Sequence, residues 1–127
     1  MKGFTLIELI LVIAIMVITA GMSIPFLKSF QVSTDLRTHA ATINRTLRKA
    51  QTQAMTGQGA ASWGVYFDTT GNDITFYQGD NYGARDTAYD SLSEFDGDIT
   101  LSDTFTGDDI NFAVYSGTPS ESGTATI

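Results

Sequence analysis

The chain has 127 residues, 43% of them hydrophobic, with 7 basic and 14 acidic residues, one histidine and no cysteine. That length allows one small domain, and the apolar fraction excludes a disordered chain. Without cysteine there is no disulfide scaffold, thiol nucleophile or cysteine-based zinc site, and a lone His39 excludes a multi-histidine metal centre.

The N-terminus opens with a short basic leader, residues 1–3. Leu9–Leu27 then holds 19 residues without a charge, and Leu9–Ile18 is unbroken apolar sequence. A bilayer core takes about 20 helical residues. With Phe4–Ile7 included, residues 4–27 read as a transmembrane helix half in which Glu8 is the one charge. Pro25 clashes with the carbonyl four residues back, at Gly21, so a kink or unwound stretch is expected between them.

Residues 28–56 continue as an amphipathic helix half. Leu36, Ala40, Ile43, Leu47, Ala50 and Ala54 follow at spacings of 4, 3, 4, 3 and 4, one narrow apolar stripe. A helix from Thr5 to Thr56 would be a rod of roughly 75–80 Å, much of it projecting. Gly57 is its natural stop.

From residue 57 the period changes to two. Trp63, Val65 and Phe67, then a turn over Thr69–Asp73, then Ile74 and Phe76 predict a hairpin. Gln78–Phe95 reads as a polar loop. Short strands are expected at Ile99–Leu101, at Ile110–Val114 and at the edge Thr124–Ile127. The sheet head of 57–127 is too small for a generous core, so the helix stripe should cover one face of it. The expected class is α+β: a long N-terminal helix, transmembrane half plus amphipathic half, packed on a small antiparallel sheet.

Charge divides at the same boundary. Residues 1–56 carry six basic against two acidic side chains, a net +4, and residues 57–127 carry one against twelve, a net −11. A head of that sign is ill suited to nucleic acid, whose phosphates call for Lys and Arg.

A secretory signal places its small-residue cleavage site after the apolar run. Here Gly3 precedes it, in the string Gly3-Phe4-Thr5-Leu6-Ile7-Glu8. This string resembles the class III signal of type IV pilins and type II secretion pseudopilins, with Gly21 and Pro25 where that family commonly breaks its helix. The resemblance covers residues 3–27. It implies a pilin-like fold, cleavage between Gly3 and Phe4 by a membrane prepilin peptidase, and N-methylation of Phe4. It also implies a single-pass stage in the inner membrane. An assembly ATPase and a platform protein would then draw the chain, with identical or homologous subunits, into an extracellular filament. Glu8 would neutralise the new α-amino group of Phe4 on a neighbouring subunit, a role its cost in hydrocarbon, about 2.5–3.5 kcal/mol, also suggests. A looser resemblance, over Arg48-Lys49-Ala50-Gln51, Gly57 and Trp63-Gly64-Val65-Tyr66-Phe67, is to H-type minor pseudopilins. Alternatives are such a minor pseudopilin, a DNA-uptake pilin, and a plain membrane-anchored domain.

The remaining signals are weaker. Turn aspartates suggest calcium, with Asp96, Asp98 and Asp103 the first group to test, although no EF-hand spacing is present and solvated turns are the commoner explanation. His39 has no second ligand nearby. Asn44-Arg45-Thr46 matches a glycosylation sequon inside a helix, and Gly57-Gln58-Gly59 lacks the ending of a phosphate loop. Nothing assembles a nucleophile, a base and an oxyanion site, so the expectation is a non-enzymatic structural protein with no cofactor.

Overall fold

The computed structural model describes residues 4–95, 97 and 99–127, the side chains of 23–27 excepted. Its elements are α1 (Leu6–Met55), β1 (Trp63–Asp68), β2 (Asp73–Gln78), β3 (Asp86–Glu94), β4 (Ser102–Asp103), β5 (Asp109–Phe112) and β6 (Ala125–Thr126), with 3-10 turns at Gln58–Ala60 and Tyr82–Ala84. The chain falls into two compact units, Met1–Asp35 and Leu36–Ile127.

The first unit is helical from Leu6. The Thr5 carbonyl accepts from the amides of Glu8 at 3.1 Å and Leu9 at 3.3 Å, which closes the first turn. Thr19 folds its hydroxyl back onto the Ile15 and Met16 carbonyls, so its polar group is satisfied within the helix. The pilin-like expectation is corrected here. Among the described residues no helix is long and apolar enough to cross a membrane, so the transmembrane half assigned to 4–27 does not stand. The physical reason is length: the described apolar side chains of α1 run from Leu6 to Met22, about 25 Å of helix rise with Glu8 inside it, short of the about 30 Å of a bilayer core. The unwound stretch expected between Gly21 and Pro25 is not seen either, because α1 runs through both positions. One proline removes one amide bond, and the flanking turns hold the helix.

The second unit carries the core. Helix α1 ends where the amides of Thr56 and Gly57 return to Thr52 and Ala54, and Gly57 takes φ 65°, the left-handed stop that glycine adopts without strain. The main sheet is antiparallel with order β3-β2-β1-β5. Ile43, Ala50 and Ala54 of α1 are buried with Trp63, Val65, Phe67, Ile74, Phe76 and Phe112, and Leu47 packs beside them. Alanine at 50 and 54 lets the helix backbone come close: the Ala54 carbonyl accepts from the Tyr115 amide at 2.8 Å. Lys49 lays its ammonium 4.0 Å from the centre of the Phe76 ring, and His39 meets Phe95 edge-on. A second, two-stranded sheet pairs β4 with β6.

Three local expectations change. The Gln78–Phe95 loop contains the nine-residue strand β3. Being an edge strand exposed along most of its length, it has no apolar alternation to reveal it. The strand expected over Ile99–Leu101 is displaced to β4, while Ile99 and Leu101 are themselves buried. Strand β5 stops at Phe112, before Val114, because the chain turns: the Ala113 amide donates to the Thr118 carbonyl at 2.9 Å.

Candidate functional site

The processing and assembly residues lie at the start of α1. Gly3 is outside the described residues. Phe4 precedes the helix and is exposed, and Glu8 sits in the first turn with its carboxylate in solvent. An acid there complements the partial positive charge of the helix N-terminus, and Thr5-Leu6-Ile7-Glu8 has the spacing of a capping box. Glu8 thus has a local structural use that does not depend on a partner. Gly21 is open on its side-chain face, with nothing within 4 Å of where a Cβ would stand. The Pro25 side chain is outside what is described.

The defining property of this unit is apolar surface without cover. Phe4, Leu6, Ile7, Leu9–Ile13, Ile15–Ile18 and Met22 range in exposure from 41% at Val12 to 76% at Phe4 and Leu6. These positions cover every side of the helix. A helix that is apolar all round is stable in water only when something surrounds it. The exposed apolar surface carries one carboxylate near its tip, Glu8.

The calcium candidates do not come together. Asp96 and Asp98 lie outside the described residues. Asp103 uses one carboxylate oxygen to accept from the Phe105 amide at 2.9 Å, an Asx turn that fixes the loop after β4, while its Oδ2 is buried with no hydrogen-bond donor among the described residues. Among the described residues no group of three or more acidic or histidine side chains is gathered to hold a metal ion.

Sequence reasoning missed an aromatic and polar layer on the face of the sheet turned away from α1. Tyr66 stacks on Tyr82 with ring centres 3.8 Å apart, and Tyr77 meets Tyr82 edge-on. The Arg85 guanidinium lies over the other side of the Tyr82 ring at 3.8 Å and binds Asp90 at 2.8 Å. Asp109 accepts from the Tyr77 hydroxyl at 3.0 Å and from the Tyr82 amide at 3.1 Å, and Asn111 donates to the Gly79 carbonyl at 2.6 Å. Burial raises the Tyr77 phenol well above its ordinary value, so it stays a hydrogen-bond donor. The chain's own Tyr82–Arg85 segment occupies this platform, which is therefore packing rather than an open ligand surface. No sequence period marks it, since Tyr82 and Arg85 reach the sheet from a 3-10 turn and its flank.

No protein-family model, curated protein or solved structure matches this chain.

Proposed function

We propose that this chain is a non-enzymatic structural subunit of a type IV pilus-like filament, matured by a prepilin peptidase between Gly3 and Phe4 and polymerised through its N-terminal helix. The observation that carries the reading is the junction of the Gly3-Phe4-Thr5-Leu6-Ile7-Glu8 string with a helix whose apolar side chains are exposed on every side. In a bundle of copies those side chains cover one another. The Glu8 carboxylate then faces the α-amino group that cleavage creates on Phe4 of a neighbour. Opposite charges attract strongly in an apolar surround, and each is costly there alone, so the pair selects one axial register. The subunit would end in an extracellular filament assembled at the inner membrane by an ATPase and a platform protein.

The test is co-expression with a prepilin peptidase and an assembly machine, followed by mass spectrometry of sheared surface material. The expected product starts at methylated Phe4. Glu8→Gln, which keeps the capping spacing and removes the charge, is expected to be cleaved normally and to give few filaments. A native N-terminus at Met1, or normal filaments from Glu8→Gln, overturns the reading. The residues Arg48-Lys49-Ala50-Gln51 and Trp63-Gly64-Val65 favour one second reading, a minor pseudopilin of a type II secretion machine. Abundance separates them, since a major subunit dominates sheared material and a minor one is nearly absent from it.

A further inference from the structure

The second unit carries cations on the outer side of α1 and a row of three carboxylates on the opposite face of the sheet. Between Leu36 and Thr56 the chain carries Arg37, Arg45, Arg48 and Lys49 and no acid. Lys49 is turned onto the sheet over Phe76. Arg37, Arg45 and Arg48 are exposed, on the side of α1 away from the buried stripe. Arg45 and Arg48 border a surface hollow of about 310 Å³ with Ala41 and Asn44, and Arg48 is held by its Nε donating to Asn44 Oδ1 at 3.0 Å.

Across the sheet, register brings three carboxylates into one row: Asp68 pairs with Asp73, and Asp73 pairs with Glu94. Side chains alternate along a strand, and Phe67 and Ile74 are buried in the core shared with α1. Asp68, Asp73 and Glu94 therefore stand on the opposite face, with the exposed Leu92 two residues along β3 from Glu94. Like charges directly opposite across a ladder repel. Burial, with repulsion from Asp68 and Glu94 added, raises the Asp73 carboxyl above its ordinary value. Among the described residues Arg85–Asp90 is the only ion pair, so neither the helix cations nor this row has an ion-pair partner there, although Asp68 Oδ1 accepts from the Thr70 and Gly71 amides at 2.9 and 2.7 Å.

We infer that the Arg37–Arg45–Arg48 face of α1 docks the Asp68–Asp73–Glu94 row of a second copy of this chain. For one pair the spacings agree: Arg45 and Arg48 are about 4.5 Å apart along the helix axis, and neighbouring strands carry their carboxylates about 4.8 Å apart; Arg37 lies about 12 Å from Arg45 and would flank the contact. Because the two surfaces are different and lie on opposite sides of one unit, the contact is head-to-tail. A head-to-tail contact leaves a free basic face at one end and a free acidic row at the other, so it propagates into a ring or an open helix rather than stopping at a dimer. The inference rests on the filament reading and deepens it, supplying a contact between heads that the N-terminal helices do not provide.

The experiment uses the full chain held in a non-ionic detergent, with self-association followed by sedimentation across a range of sodium chloride. Association is expected to fall as salt rises. Arg45→Glu/Arg48→Glu and, separately, Asp73→Lys/Glu94→Lys are each expected to weaken it about tenfold or more. An equimolar mixture of the two double variants is expected to restore it, because each altered face then meets its complement. Glu94→Lys alone, at an exposed position, repeats the test without touching the half-buried Asp73. Association indifferent to salt and to all these changes overturns the inference, as does a mixture no stronger than its components. The measurement needs no cleavage at Gly3, so an unprocessed N-terminus sinks the filament reading while leaving this contact to be judged separately.

Discussion

Gly64 stands directly opposite Tyr77 in the β1–β2 register, and the tyrosine ring lies over the space that a side chain at 64 would fill. A Cβ at Gly64 would collide with the ring and hydroxyl of Tyr77. The ring is fully buried, and its hydroxyl is tied to Asp109, so it has little room to give. Gly64→Ala is expected to lower stability by about 1–3 kcal/mol, the usual cost of overpacking. Thermal unfolding followed by circular dichroism measures this. Tyr77→Leu in the same background is expected to recover part of the loss, since the two sites touch and their effects are not additive.

Asn72 ties the tip of the same hairpin to the chain leading into β4. Its Nδ2 donates to the Ile99 carbonyl at 2.6 Å, and its Oδ1 accepts from the Leu101 amide at 3.0 Å. Its φ of 59° is left-handed, which asparagine tolerates and alanine resists. Asn72→Ala removes both bonds and adds strain, for an expected loss of about 1–3 kcal/mol. Asn72→Gly relieves the strain and removes only the bonds, so it is expected to cost less. Hydrogen exchange at the Leu101 amide should quicken in both variants. Equal protection in wild type and variants would show that these bonds do not hold the segment.

These two contacts also mark where sequence reading ran out. The hairpin shows in the sequence because Trp63, Val65, Phe67, Ile74 and Phe76 alternate with residues of another kind. The helix end shows because Gly57 follows the last alanine of a regular stripe. The stripe itself maps onto burial at Ile43, Ala50 and Ala54, though Ala40 stays exposed. Strand β3 and the Tyr66–Tyr82–Arg85 layer leave no period, since one is a solvent-facing edge and the other is joined by side chains distant in sequence. The membrane reading of 4–27 met a different limit: among the described residues no helix is long and apolar enough to cross a bilayer. At the candidate site the string at Gly3–Glu8 was legible as sequence. The acidic row was not, because it depends on which residues share a sheet register.

The contact between helix and sheet is set by the smallness of Ala50 and Ala54, both without measurable exposure. Ala54 also sits beside the backbone bond its carbonyl makes to the Tyr115 amide. Ala54→Leu adds three carbons where no space exists and is expected to cost about 1–3 kcal/mol. Ala54→Ser, nearly the same size, is expected to cost less. Denaturant midpoints at constant slope measure both, and a leucine variant as stable as the serine one would show that the helix can lift without penalty.

Asp73 gives a pH dependence with a definite sign. Burial raises its carboxyl above the ordinary value in the folded chain, and Asp68 and then Glu94 add repulsion. A group raised on folding binds its proton more tightly folded than unfolded, so ionised Asp73 works against the fold. The penalty is full above the folded-state value and disappears as pH falls through that value toward the ordinary carboxylate range. Asp73→Asn is therefore expected to unfold at a higher temperature than wild type at pH 7, with the difference narrowing on acidification. Glu94→Gln, which removes one repelling neighbour and leaves the burial, is expected to give a smaller gain of the same sign. Unfolding curves from pH 7 down to pH 4 measure both, and a gap that widens in acid would reverse the assignment and make ionised Asp73 a stabilising partner in the row.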